Sequence, residues 1–83
     1  MESLSSLPNI SKAIENKLIE AGITSPQELS ALGSRAAFQR IRAIDSTACV
    51  NMLCALEGAI EGIRWHHLPD GVKADLKHFY QNL

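Results

Sequence analysis

The stretch LPNISKAIENKLIEAGITSPQEL, from Leu7 to Leu29, reads as two helices joined by tight, capped turns. Ile10, Ile14, Leu18 and Ala21 keep one apolar face through Ser11 to Ala21, and Gly22 then offers a left-handed stop. Ser25-Pro26-Gln27-Glu28 follows as a capping box with proline at the first helical position. The serine side chain accepts from the glutamate N–H, and the glutamate reaches back. A short second helix then ends at Gly33.

Working outward, Ser34 is expected to cap a third helix in which Phe38, Ile41 and Ile44 repeat on one side. Arg35 and Arg42 lie elsewhere on its surface, and that charged side is expected to be solvated. The central helix is predicted from about Thr47 to Arg64, with Cys49, Leu53, Leu56, Ile60 and Ile63 tracing a stripe that Met52 and Ala59 widen. Such a broad stripe suits a helix surrounded by the others. Gly58 and Gly62 lie one turn apart, where missing side chains let another helix approach closely. Glu57, Glu61 and Arg64 exclude the membrane reading of the same spacing. After Trp65, the segment His66-His67-Leu68-Pro69-Asp70 breaks the pattern. Val72, Leu76, Phe79, Tyr80 and Leu83 then mark a closing helix, with Asp70 as its cap. No segment alternates like a strand, so the fold class is all-α: a compact single domain of about five helices over residues 1–83, of helix-hairpin-helix or SAM-like type.

The 83 residues suffice for one small core, and 46% hydrophobic content lies in the globular range. No apolar run approaches the roughly 20 residues that span a bilayer. MESLSSLPNI lacks the basic start and apolar centre of a signal peptide, so a cytoplasmic location is expected. Net charge is −1, with five Lys/Arg against four Glu up to Ile44 and three against five Asp/Glu from Asp45 onward. Neither half is polybasic, which weighs against strong non-specific nucleic-acid binding. Cys49 and Cys54 fall in one predicted helix, about 7.5 Å apart along its axis, too far for a bridge without unwinding. Both are expected to be buried or half-buried free thiols.

Four groups of residues carry a resemblance. These are Leu7-Pro8-Asn9-Ile10, Ala21-Gly22-Ile23-Thr24, Ala31-Leu32-Gly33-Ser34 with Ala37-Phe38, and above all NMLCALEGAIEGIRWHHLP from Asn51 to Pro69. Together they resemble the C-terminal domain of the TfoX/Sxy family of competence regulators, over nearly the whole chain. The last run is the specific one, and Asn51, Leu56, Glu57, Gly58, Gly62 and Trp65 form its structural signature. The resemblance implies a compact helical domain related to helix-hairpin-helix units, often the second half of a longer protein implicated in switching on DNA-uptake genes. This chain looks like a freestanding short form. It departs from the pattern where Ser11 and Lys12 replace the Gly-rich pair usual in hairpins that grip DNA, and where Cys54 replaces a bulky aromatic.

No enzyme is expected. His66 and His67 are adjacent on a predicted loop without a Ser or Cys nucleophile arrangement, and they read as a polar loop rather than a metal site. No cofactor is expected, because no Gly-rich loop follows a strand. The opening turn reads two ways: Asn9, Ser11 and Lys12 precede or begin a helix whose free N–H groups attract phosphate, or Ser11 simply caps that helix. Glu57 also reads two ways, as a half-buried acid paired with Arg35, Arg40 or Arg42, or as a solvated charge beside the core. Trp65 is expected to pack between the central and closing helices. The function expected is a small interaction module acting through an unidentified protein partner or as a homodimer, with weak or no nucleic-acid contact and no membrane. The alternative is a nucleic-acid-associated regulator of competence genes that uses the hairpin turn.

Overall fold

The computed structural model describes residues 3–83, so the first two residues of the expected 1–83 domain lie outside the described residues. A 3-10 turn at Leu4–Ser6 leads into α1 (Lys12–Glu20), α2 (Pro26–Leu32), α3 (Ser34–Ile44) and α4 (Val50–Glu61). A second 3-10 turn, Trp65–His67, precedes α5 (Asp70–Gln81). The architecture is all-α, with no strand among the described residues.

Local chemistry accounts for several helix ends. Ser11 caps α1, its Oγ accepting from Ile14 N–H at 3.2 Å. Ser25 does the same for α2, its Oγ accepting from Glu28 N–H at 3.1 Å. Glu28 does reach back, but to the hydroxyls of Thr24 and Ser25 rather than to a backbone N–H.

Helices α1 and α4 end in the same way. At the end of α1, Gly22 N–H bonds to Ile19 C=O and Ile23 N–H to Leu18 C=O. At the end of α4, Gly62 N–H bonds to Ala59 C=O and Ile63 N–H to Gly58 C=O. Both are Schellman ends, which need a left-handed residue, and Gly62 has φ +76. This corrects two expectations. The central helix stops at Glu61 instead of Arg64, and Gly62 is its terminator, not a packing glycine, since a Cβ added there meets nothing within 4 Å.

Ser34 is also not the cap of α3. Gly33 occupies that position with no side-chain cap, and Ser34, already helical, is buried. Cys49 likewise precedes α4 in extended backbone (φ −116°, ψ 172°), which leaves its thiol exposed, while Cys54 on the helix is buried. Burial pushes the Cys54 thiol above its ordinary value.

Leu53, Leu56 and Ala59 of α4 meet Ala37, Phe38 and Ile41 of α3, with Leu18, Leu29, Leu68 and Leu76 supplied by the other elements. α4 packs against α2, α3, α5 and the Trp65–His67 turn, whereas α1 rests on α3 and the N-terminal 3-10 turn. Phe38, fully buried, meets the Tyr80 ring edge-on at 5.8 Å. Arg35 and Arg42 are not simply solvated. Their guanidinium groups lie over the Phe79 and Tyr80 rings, 5.7 and 5.3 Å from the centroids, and tie α3 to α5.

If Gly62 serves to end α4, Gly62→Ala destabilises the protein by about 1–2 kcal/mol, and Gly62→Asn by less, because asparagine tolerates the left-handed region. Equilibrium urea unfolding of the two variants measures the difference.

Candidate functional site

The opening turn was the candidate for phosphate, and its geometry is organised inward. Asn9 takes a left-handed conformation, φ +69, that asparagine tolerates better than most residues. Its amide Nδ2 donates to Ile63 C=O at 2.9 Å and to Ala55 C=O at 3.4 Å, and its Oδ1 accepts from Trp65 N–H at 3.2 Å. The side chain thereby holds the Ile63 carbonyl and the Trp65 N–H of the loop that follows α4, adds a second, longer bond to the mid-helix Ala55 carbonyl, and fixes the entry into the 3-10 turn. Gly58 makes the room. A Cβ at that position would lie 2.6 Å from Asn9 Nδ2, 2.8 Å from Ile63 O and 3.1 Å from Trp65 Cα. Gly58 therefore admits a side chain and a backbone loop, in place of the partner helix expected there.

The other two residues of the turn are likewise engaged. Ser11 Oγ holds the Ile14 N–H, and Lys12 Nζ lies 3.1 Å from Glu15 Oε1, although the lysine is otherwise exposed. Glu15 is an acid that sequence reading passed over. It is buried at 5% exposure, and its Oε2 accepts from Ser5 N–H at 3.1 Å, which pins the N-terminal 3-10 turn to α1. The Lys12 hydrogen bond, followed by the Ser5 N–H, holds its carboxyl below the ordinary value. A polar residue one turn into an amphipathic helix gives no sign that a backbone N–H from ten positions upstream will meet it.

The signature residues divide by role. Leu56 is fully buried, and Asn51 is exposed in the first turn of α4. Glu57 is half-buried, and its short-range partner is Ser34, whose hydroxyl donates to Oε1 at 2.6 Å. None of the three expected arginines forms a salt bridge with it among the described residues. The carboxyl of Glu57 is held below its ordinary value by a hydrogen bond with Glu61, helped by the Ser34 hydroxyl and the Arg35 charge. Glu61 moves the opposite way, raised first by the hydrogen bond with Glu57, then by burial and by the Glu57 charge.

Trp65 is half-buried rather than enclosed, and it stacks on the His66 ring at 4.1 Å with 28° between planes. Leu68, three positions on and buried, takes the inward place at the end of this 3-10 turn. His66 and His67 are exposed, and the His66 carbonyl accepts from Lys73 Nζ at 2.9 Å. Among the described residues no group of three or more His, Cys, Asp and Glu side chains is placed to hold a metal ion. No helix there is long and apolar enough to cross a membrane.

Two stability tests follow from this geometry. Asn9→Ala leaves the Ile63 carbonyl and the Trp65 N–H without their partner and puts alanine at positive φ, so it destabilises by about 2–4 kcal/mol. Gly58→Ala destabilises by about 1–3 kcal/mol through overpacking, and because both act on one contact the double variant loses less than their sum. A denaturant-based double-mutant cycle measures the coupling. For Glu15 the folded carboxyl titrates below the unfolded one, so its stabilisation is present above the ordinary carboxylate value and is lost as pH falls through the folded value. Glu15→Gln therefore lowers stability at neutral pH and flattens its fall in acid, as read from melting curves across the acid range.

This chain matches the family model described as the TfoX C-terminal domain over residues 1–80. It is 35% identical over 82 residues to Protein Sxy of Escherichia coli (strain K12), an alignment covering 99% of this chain and 39% of Sxy. The chain thus spans well under half the length of that curated relative. Among solved structures, it is similar to an uncharacterized protein from Listeria monocytogenes in a triclinic crystal form. The TM-score is 0.96 at 52% identity, covering 98% of this chain and 92% of that one. It is equally similar to a Listeria monocytogenes protein of unknown function in a tetragonal form, with TM-score 0.93 and 53% identity over 95% of this chain and 96% of that one. Matched from residue 1 to residue 80, the chain belongs to the TfoX C-terminal domain family.

Proposed function

We propose that this protein is a non-enzymatic interaction module of the competence-regulator type, acting in the cytoplasm through protein contacts rather than through nucleic acid. The observation that carries this reading is the inward orientation of the opening turn. Asn9 bonds to Ala55, Ile63 and Trp65, Ser11 caps its own helix, and Lys12 is drawn toward Glu15. A hairpin that grips DNA presents backbone N–H groups and free cations to phosphate, and useful affinity draws on many such contacts. Here the N–H of Ile14 already has its acceptor and the local cation its carboxylate. A net charge of −1 supplies no compensating field. Meanwhile Ile19, Ile44 and Leu83 remain about half exposed, at 49%, 50% and 46%, and offer apolar side chains to a protein partner.

The test is a titration with duplex DNA at two salt concentrations, using the wild type and Lys12→Glu. We expect no saturable binding at physiological salt, and at low salt only weak binding that Lys12→Glu removes. A tight complex that persists at physiological salt would overturn the reading and establish the nucleic-acid role of the hairpin.

A further inference from the structure

The edge formed by α2 and α3 carries an open hollow of about 260 Å³ lined by Ile23, Glu28, Ala31, Leu32 and Arg40. Its floor is apolar and its rim holds one acid and one base, both exposed. Glu28 meets hydroxyls only through Oε1, and its Oε2 has no partner among the described residues. Arg40 forms no salt bridge there either. Its neighbour one turn along α3 is Ile44, 50% exposed. Arg35 and Arg42, by contrast, belong to the opposite side of α3, where their guanidinium groups lie over the Phe79 and Tyr80 rings of α5.

We propose that this α2–α3 edge is a self-association surface on which a second copy of the chain docks about a two-fold axis, Glu28 of each copy facing Arg40 of the other. The proposal rests on the protein-contact reading above and names the partner. Charge selects the occupant. A rim with one charge of each sign is met without a like-charge pair by a partner carrying the same two charges in reversed order, and a two-fold rotation of the patch supplies that arrangement. Ala31, Leu32 and Ile44 then meet their own counterparts, and a net charge of −1 per copy opposes the approach only weakly. The molecule measures 33 × 26 × 20 Å, so one edge offers an interface at the small end of the stable range.

The geometry gives the test its logic. Arg40→Glu places two Glu–Glu pairs in the two-fold dimer, and Glu28→Arg places two Arg–Arg pairs, so each variant alone weakens self-association by at least about tenfold. Mixed together, the two variants match at both contacts and form a heterodimer, and the double variant carrying both changes dimerises with itself. Sedimentation velocity from micromolar to millimolar protein, with fold checked by circular dichroism, reads all four samples. Should loss of the Glu28 capping contact unfold Glu28→Arg, Arg40→Glu against Arg40→Gln, with the gain on adding salt to the former, reads the same contact. A wild type that stays monomeric throughout would overturn the dimer and leave the protein-contact reading standing, whereas a tight DNA complex removes that reading instead. Variants that dimerise as the wild type does, or a mixture with no heterodimer, would overturn the assignment to this edge.

Discussion

The fold depends on one amide group meeting one missing methyl group. Asn9 reaches across to the Ala55 carbonyl of α4, to the Ile63 carbonyl just past it and to the N–H of Trp65, and it reaches them only because position 58 is glycine. The contact joins the first turn of the chain to the end of the central helix. It also pairs the Ile63 carbonyl and the Trp65 N–H, backbone groups of the loop after α4 that have no other partner among the described residues. Much of the arrangement around it follows. The Schellman end at Gly62 aims the chain back toward Asn9, the 3-10 turn begins at the N–H that Asn9 holds, and α5 starts from that turn.

Around this contact the polar side chains act between elements instead of facing a ligand. Glu15 ties the N-terminal 3-10 turn to α1, Ser34 ties α3 to α4 through Glu57, and Lys17 ties α1 to Asp45 at 3.2 Å. Arg35 and Arg42 cover the aromatic rings of α5. Small helical domains bury a limited apolar area, and such ties choose among near-equivalent packings of similar stripes. The interior identifies the family, and the exposed edges are where the function is sought.

Local signals made most of the fold legible. Ser11, Gly22, Ser25 and Pro26 mark helix ends by chemistry contained within a few residues, and the structure keeps each of them in that role. Ser34 was misread because its type suits a cap while Gly33, one position earlier, already occupies that geometry, which freed the hydroxyl for Glu57. The candidate turn was legible as a helix start but not as a contact. Asn9 is 49 positions from Gly58 in the sequence, and no spacing rule relates an asparagine in one turn to a glycine in a distant helix. The same holds for Glu57, where chain order suggested arginines and the fold supplied a serine. A periodic pattern fixes which face of a helix is buried, and it leaves open which polar groups cross the seam.

The reach of the Asn9 contact also orders events in time. Its three hydrogen bonds span 46, 54 and 56 residues, so their acceptors and donor exist only after the chain has been made through Trp65. While the protein emerges from the ribosome, the N-terminal turn stays unlocked until most of the domain has left the exit tunnel. Loop closure on this scale carries a larger entropy cost than any helix–helix contact between chain neighbours, which makes the lock a late step of folding. A nascent chain arrested before Trp65 thus presents the segments of α1 and α2 without the brace that holds them in the finished protein.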